Sequence, residues 1–125
     1  MSTVHSQITV NAPVERVWAA LADFGGIARY AANVTRSHAL GEQNAGVGAQ
    51  RRCDFDTGNY AVEQITRWDE GRSYTLEITE TDTPVKAVTA TLAGAPDGDG
   101  VRVSARVDYA LMVGVLGALM DVLVA

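Results

Sequence analysis

Two charged residues, Arg51 and Glu63, have the types and the spacing to act together inside the protein. Polar and apolar residues alternate along the predicted third strand, as they do in strands with one buried face. The residues on the same side as Arg51 are Ala49, Cys53 and Phe55. Because an unpaired buried charge is very costly, an arginine in this company needs a carboxylate or several acceptors. Glu63, on the next predicted strand, is the natural partner.

We expect the Arg51–Glu63 pair to be structural. A sharper alternative is that one of the two side chains orients a polar group of a bound ligand or polarises a carbonyl. The sequence leaves both interpretations open.

Three tyrosines extend the set of candidate ligand-binding residues: Tyr60, Tyr74 and Tyr109. A tyrosine has an apolar ring and a polar tip, which suits a pocket wall, although ordinary core positions are its commoner use. Two sets compete for the interior side of the predicted fourth strand: Tyr60, Val62, Gln64 and Thr66, or Ala61, Glu63 and Ile65. A β-bulge could switch the faces midway along this strand.

Other reactive residues form no recognisable catalytic or metal-binding pattern. Cys53 and Ser104 lie in predicted strands, and the two histidines are distant from them in the sequence. A single cysteine in a strand is expected to be a small buried apolar residue. Two separated histidines and one cysteine give no spacing of metal ligands, so we predict no metal and no cofactor.

Length and charge limit the classes of protein to which the chain can belong. Its 125 residues suit a single domain, residues 1–125, and the apolar share of 47% and charged share of 20% are typical of globular proteins. The net charge is −5, and Lys86 is the only lysine. No basic stripe is visible, which argues against nucleic-acid binding and against binding to an anionic membrane surface.

Cysteine usage and hydropathy indicate the compartment. Cys53 is the only cysteine, so no intramolecular disulfide can form and an oxidising compartment is not implied. The first residues lack the basic and apolar regions of a signal peptide. The longest apolar run is too short to span a bilayer. We therefore expect a cytoplasmic protein without integral membrane association.

The elements that position these side chains begin with a strand and a helix. A strand over residues 4–10 leads into a helix with Pro13 in its first turn. Asn11 or Ala12 would cap this helix, and Glu15 could complete a capping box. The apolar residues that share one face of the helix are Val14, Val17, Trp18, Leu21 and Ala22.

A series of strands follows the first helix. Gly25 and Gly26 supply backbone freedom for a sharp redirection, and residues 27–30 predict one more short helical piece. Six strands are then predicted over residues 34–40, 48–55, 60–68, 73–79, 85–92 and 101–109. Their alternation of polar and apolar residues indicates an antiparallel meander with one solvent-exposed face.

The last segment, residues 114–125, is apolar on nearly all sides and has Asp121 as its only charge. Such a helix must be buried on nearly all sides. It stops at Ala125 without capping signals, so we expect a C-terminal helix that is either short or truncated. Its uncovered sides would favour a homodimer in which two terminal helices pack together or cap each other's sheets.

The order of these elements, together with several short motifs, resembles the SRPBCC superfamily. The motifs are Asn11-Ala12-Pro13, Val17-Trp18, Leu21-Ala22-Asp23-Phe24 and Leu116-Gly117-Ala118-Leu119-Met120-Asp121. The resemblance implies an α+β, START-like helix-grip fold. In that fold a seven-stranded antiparallel sheet wraps around a C-terminal helix, and two short helices follow the first strand. A hydrophobic pocket lies between the sheet and the C-terminal helix.

The resemblance also implies binding of a hydrophobic small molecule, lipid-, isoprenoid- or polyketide-like, in that pocket. The predicted ligand-binding residues are Arg51, Phe55, Tyr60, Glu63, Tyr74, Tyr109, Leu116 and Met120. The alternative is an enzyme of the polyketide cyclase or dehydratase type, which would use polar cavity residues for acid–base catalysis. For that chemistry the sequence offers only Arg51, Glu63, the tyrosines and His38, and we assign no catalytic residue.

Overall fold

One sheet of seven antiparallel strands dominates the computed structural model, which describes residues 2–111 without the side chains of residues 86, 87, 110 and 111. The strands are β1 (Ser2–Val10), β2 (Val34–Leu40), β3 (Gln50–Phe55), β4 (Tyr60–Asp69), β5 (Ser73–Thr81), β6 (Val85–Asp97) and β7 (Gly100–Leu111). Between β1 and β2 lie an α-helix, α1 (Val14–Ala22), and a 3-10 helix (Phe24–Arg29). This order confirms the predicted strands and the two short helices. The predicted terminal helix, residues 114–125, lies outside the described residues.

The strand order places the first two strands at opposite edges of the sheet. The order is β1-β7-β6-β5-β4-β3-β2, so β1 pairs with β7 and all the other pairs are sequential neighbours. The segment from α1 through the 3-10 helix must therefore cross the sheet from one edge to the other. It packs against one face of the sheet, where Trp18 and Phe24 share the main apolar core with Tyr74 of β5.

Several strand boundaries differ from the prediction by one or two residues, and the end of β6 differs by five. β3 begins at Gln50 instead of residue 48, because Gly48 has φ +93° and is not extended. β6 continues to Asp97 instead of residue 92, because its pairing with β7 persists up to Asp97 and Gly100. The turn between these strands contains Gly98 at φ +61°, a conformation that favours glycine.

The start of α1 is also shifted from the prediction. The N-cap is Pro13, whose carbonyl accepts from the amides of Arg16 and Val17 at 3.1 and 3.2 Å. No side-chain hydrogen bond caps the helix, so the predicted cap at Asn11 or Ala12 and the capping box are wrong. The predicted apolar face is confirmed, since Val17, Trp18 and Leu21 are buried and Val14 and Ala22 pack against them. No helix within residues 2–111 has the length and hydropathy needed to cross a membrane.

Gly25 and Gly26 are required for a different reason from the one predicted. The sequence suggested backbone freedom, but the constraint is the space around their Cα atoms. A Cβ on Gly25 would lie 2.6 Å from the backbone nitrogen of Ala39, and one on Gly26 would overlap the carboxylate of Asp23. Gly25 thus allows the 3-10 helix to approach β2 closely, whereas Gly26 leaves room for the carboxylate of Asp23.

The faces of β4 are resolved by a bulge. Ala61, Glu63 and Ile65 are buried, so this set points to the interior. The register with β5 then shifts between Ile65 and Arg67. After this bulge the inward position falls on Trp68, which packs against the main core. The predicted switch of faces is therefore confirmed.

Candidate ligand-binding site

A cavity of about 340 Å³ lies against the buried face of the sheet. Its described lining comes from all seven strands, from the 3-10 helix and from the segment that joins this helix to β2. Most of these side chains are apolar, with Leu76 and Ile78 from β5 and Ala90 and Leu92 from β6 as examples. The volume is at the lower end of the range for small-molecule sites, which begins at about 300 Å³.

Arg51 and Glu63 form a buried ion pair in the wall of this cavity. The two residues face each other directly in the register between β3 and β4. Arg51 Nε donates to Glu63 Oε1 at 2.6 Å, and the side chains are only 2% and 11% exposed. The sequence-based prediction of an inward arginine with this carboxylate partner is confirmed.

The guanidinium of Arg51 is held by two further contacts. Its Nη1 donates to the backbone carbonyl of Phe24 at 3.0 Å, which ties β3 to the 3-10 helix. Its Cζ lies 4.0 Å from the centroid of the Phe24 ring, in cation–π geometry. Burial is the largest single influence and lowers the pKa of Arg51, but the charge of Glu63, the neighbouring Tyr74 and Cys53 and the hydrogen bond to Glu63 together raise it by more, so the net shift is upward. The guanidinium is therefore charged.

Two tyrosine hydroxyls lie close to this pair. Tyr74 is fully buried, with its ring between Phe24 (centroids 5.5 Å apart) and Trp68 (5.8 Å apart). Its hydroxyl comes within electrostatic reach of Arg51 and Tyr30. It nevertheless makes no hydrogen bond of ordinary geometry in the described part of the chain. A polar atom in such a place is unusual.

Tyr30 lines the cavity and follows the 3-10 helix directly. The residue is 46% exposed overall, yet its hydroxyl interacts electrostatically with Tyr74, Arg51 and Cys53. Its ring therefore stands at the rim while its polar tip faces the ion pair. Burial raises the pKa of both tyrosines, so both hydroxyls stay protonated and can donate.

Cys53 lies beside the ion pair and is 1% exposed. Its Sγ donates to Glu63 Oε1 at 3.7 Å. Burial, followed by the charge of Glu63, raises the pKa of this thiol to about 12. Since the thiolate is the nucleophilic form, Cys53 is an inert buried side chain, as the sequence predicted.

The predicted site residues are only partly brought together. Arg51, Phe55 and Glu63 line the cavity. Tyr60 does not, because it lies on the opposite face of β4, where its hydroxyl donates to Glu80 at 3.0 Å on the surface. The predicted Leu116 and Met120 lie outside the described residues.

The other two predicted tyrosines are buried but are not among the described residues that line the cavity. Tyr74 lies in the main core behind Phe24, and Tyr109 packs against Val85 and Val88 in a smaller apolar cluster. His38 is exposed on β2, where it pairs with Arg52 across the strands. It is not among the described residues that line the cavity.

Sequence reasoning missed several lining residues, of which Tyr30 is the most informative. The alternation along β1 could have indicated Ser6 and Ile8, which share one face and line the cavity. Tyr30 carried no such signal, because its direction depends on how the 3-10 helix ends. Within residues 2–111, no group of three or more His, Cys, Asp or Glu residues could hold a metal ion.

Comparisons with known proteins agree with this fold. A family model described as polyketide cyclase / dehydrase and lipid transport matches residues 1–125. No curated protein matches the chain. Among solved structures, one from Thermobifida fusca is 24% identical, with a TM-score of 0.79 over 98% of this chain and 82% of that one.

Two further structures give similar results. A START superfamily protein from Mycobacterium smegmatis is 15% identical, with a TM-score of 0.76 over 95% of this chain and 83% of its own. DynU16, a protein in the dynemicin biosynthetic locus, is 16% identical, with a TM-score of 0.71 over 95% of this chain and 41% of its own. At these identities the likeness concerns the fold, which is START-like.

Proposed function

The chain belongs to the polyketide cyclase / dehydrase and lipid transport family, and from this premise we propose that it binds a hydrophobic small molecule in the cavity. The ligand would be lipid-, isoprenoid- or polyketide-like. The cavity wall supports this proposal, because it combines a largely apolar lining with one buried ion pair. Binding sites for small molecules are typically apolar, with few polar groups that fix orientation.

The protonation states of the polar groups favour binding over catalysis. Tyr30, Tyr74 and Cys53 keep their protons at neutral pH, because burial raises the pKa of each. A general base must accept a proton within hydrogen-bond reach of the substrate. The carboxylate that lines the cavity beside them, Glu63, is already engaged by Arg51. These groups are better suited to hold a ligand than to remove its proton.

A cavity-filling substitution tests the proposal. Ala105 lines the cavity from β7, so Ala105→Phe should occupy space that the ligand needs. We expect apparent affinity for apolar ligands to fall at least about tenfold, which corresponds to about 1.4 kcal/mol. The readouts are isothermal titration calorimetry and native mass spectrometry of copurified ligand.

The neighbouring residue provides a matched control. Ser104 alternates with Ala105 along β7, so Ser104→Phe adds the same ring on the other face and should leave affinity unchanged. Equal affinity in both variants, with folding intact by circular dichroism, would contradict binding in this cavity.

A second candidate function is a polyketide cyclase- or dehydratase-type reaction. The observation that favours it is the charged guanidinium of Arg51 in an apolar cavity, where it could polarise a carbonyl. Turnover of a polyketide mimic that is lost in both Arg51→Ala and Glu63→Ala, but kept in Arg52→Ala, would support this reaction. Stoichiometric binding without turnover would support the binding function.

Location and assembly extend the proposal. We propose a cytoplasmic binding protein, in which the single cysteine stays reduced.

The homodimer through the C-terminal helix also stays a prediction, which light scattering on the purified protein tests. A monomer at all concentrations would contradict it.

A further inference from the structure

The ion pair limits the chemistry of the ligand, if the chain binds a small molecule as proposed above. Arg51 and Glu63 face each other at 2.6 Å, and both side chains are buried. The pair brings one positive and one negative charge to the cavity wall, so it is already neutral. An additional charge in this apolar setting would be unbalanced and therefore unfavourable.

The same wall has unused hydrogen-bonding capacity. Arg51 makes two hydrogen bonds within the described residues, to Glu63 and to the carbonyl of Phe24. A guanidinium carries more N–H donors than these two bonds use. The buried hydroxyl of Tyr74 makes no hydrogen bond of ordinary geometry in the described part of the chain, and it lies near Arg51 and the hydroxyl of Tyr30. Most of the unused hydrogen-bonding groups are donors, so the site suits a ligand with an acceptor oxygen.

We propose that the ligand presents a neutral oxygen (a carbonyl, ester or hydroxyl) to Arg51 and Tyr30, and that the Arg51–Glu63 pair selects against ligands with a carboxylate. A carboxylate would place a second negative charge beside Glu63 and leave the cavity with a net charge. An ammonium group would face the guanidinium and find no free carboxylate. A neutral acceptor satisfies the donors and leaves the charges balanced.

The first test compares ligands of equal chain length on the wild-type protein. Isothermal titration calorimetry would measure the affinity of methyl decanoate, decanol, decanoate and decylammonium at neutral pH. We expect the ester and the alcohol to bind at least about tenfold more tightly than either ion. Decanoate that binds as tightly as the ester would overturn the inference. If none of the four binds, the proposed function fails and the inference fails with it.

The second test changes the charge of the site. Glu63→Gln keeps an amide oxygen as acceptor for Arg51 but removes the negative charge, so the guanidinium is left uncompensated. We expect the preference for ester over decanoate to fall at least about tenfold or to reverse. An unchanged preference in a folded Glu63→Gln protein would overturn the inference. If this variant does not fold, the comparison of the four ligands on the wild-type protein still tests the inference.

The matched control is Glu80→Gln. Glu80 lies on the exposed face of β5, where it accepts a hydrogen bond from Tyr60. The substitution changes the net charge of the protein by the same amount, away from the cavity. We expect the wild-type preference to be retained. A preference that changes equally in Glu80→Gln and Glu63→Gln would assign the effect to overall charge and would also overturn the inference.

Discussion

At the scale of single residues, burial sets the protonation of the groups in and beside the cavity more than any specific partner does. Cys53 illustrates this, because burial is the largest cause of the rise of its pKa from 9.0 to about 12. Burial is likewise the largest cause of the raised pKa of Tyr30 and of Tyr74. All three groups are therefore neutral in the folded protein over a wide range of pH.

This protonation predicts how stability depends on pH. Between about pH 9 and pH 12 the unfolded chain loses the proton of Cys53 while the folded protein keeps it. The folded state then binds more protons, so the free energy of unfolding falls as pH rises through this window. Urea unfolding of Cys53→Ala should show a smaller fall than the wild type. If stability depended on pH identically in both proteins, that result would contradict a raised pKa of Cys53 in the folded state.

At the scale of elements, one carboxylate joins α1 to the end of β4. Glu70, in the turn between β4 and β5, accepts from both indoles: from Trp18 Nε1 at 3.3 Å and from Trp68 Nε1 at 2.6 Å. The two rings also pack edge to face, with centroids 5.2 Å apart. The turn thus holds the helix on the sheet at the end of the main core.

Removal of this carboxylate should loosen α1. We expect Glu70→Ala to lower the free energy of unfolding by about 1–2 kcal/mol, because two indole donors lose a charged acceptor. Since Trp18 and Trp68 are the only tryptophans, their fluorescence reports the change directly. The control is Glu77→Ala, on the exposed side of β5. It should change neither the free energy of unfolding nor the tryptophan fluorescence. Identical fluorescence in the two variants would refute the role of Glu70.

The elements also explain what the sequence could predict. Strict alternation in β3 was sufficient to place Arg51 inside and to identify Glu63 as its partner. In β4 two faces competed, because the bulge after Ile65 breaks the period of two. The sequence therefore left open which face Tyr60 occupies, and in the structure it lies away from the cavity. Tyr30 could not be predicted, because no periodic pattern fixes the direction of a residue that ends a 3-10 helix.

At the scale of the whole molecule, the Arg51–Glu63 pair predicts a conflict between stability and selectivity. Replacing one partner of a buried pair leaves an uncompensated charge, so Glu63→Leu should lower the free energy of unfolding by about 3–5 kcal/mol. The double variant Arg51→Met with Glu63→Leu should be near wild-type stability or above it. We expect that double variant to bind apolar ligands without the preference for a neutral oxygen.

Urea unfolding and calorimetry of the single and double variants measure both effects. A double variant less stable than Glu63→Leu alone would contradict this view of the pair. Retention of the full ester preference without Arg51 would contradict its role in selectivity.

The position of β1 at the edge beside β7 has a consequence for the order of folding. The hydrogen bond from Thr3 to Asp108 joins residues 105 positions apart, whereas β2 to β7 pair with their neighbours in sequence. Contacts of large sequence separation form late, because closing a long loop costs entropy before any contact compensates for it. On a ribosome, β1 is made first but has no strand to join until β7 has emerged. The first strand to be synthesised is thus the last to be paired.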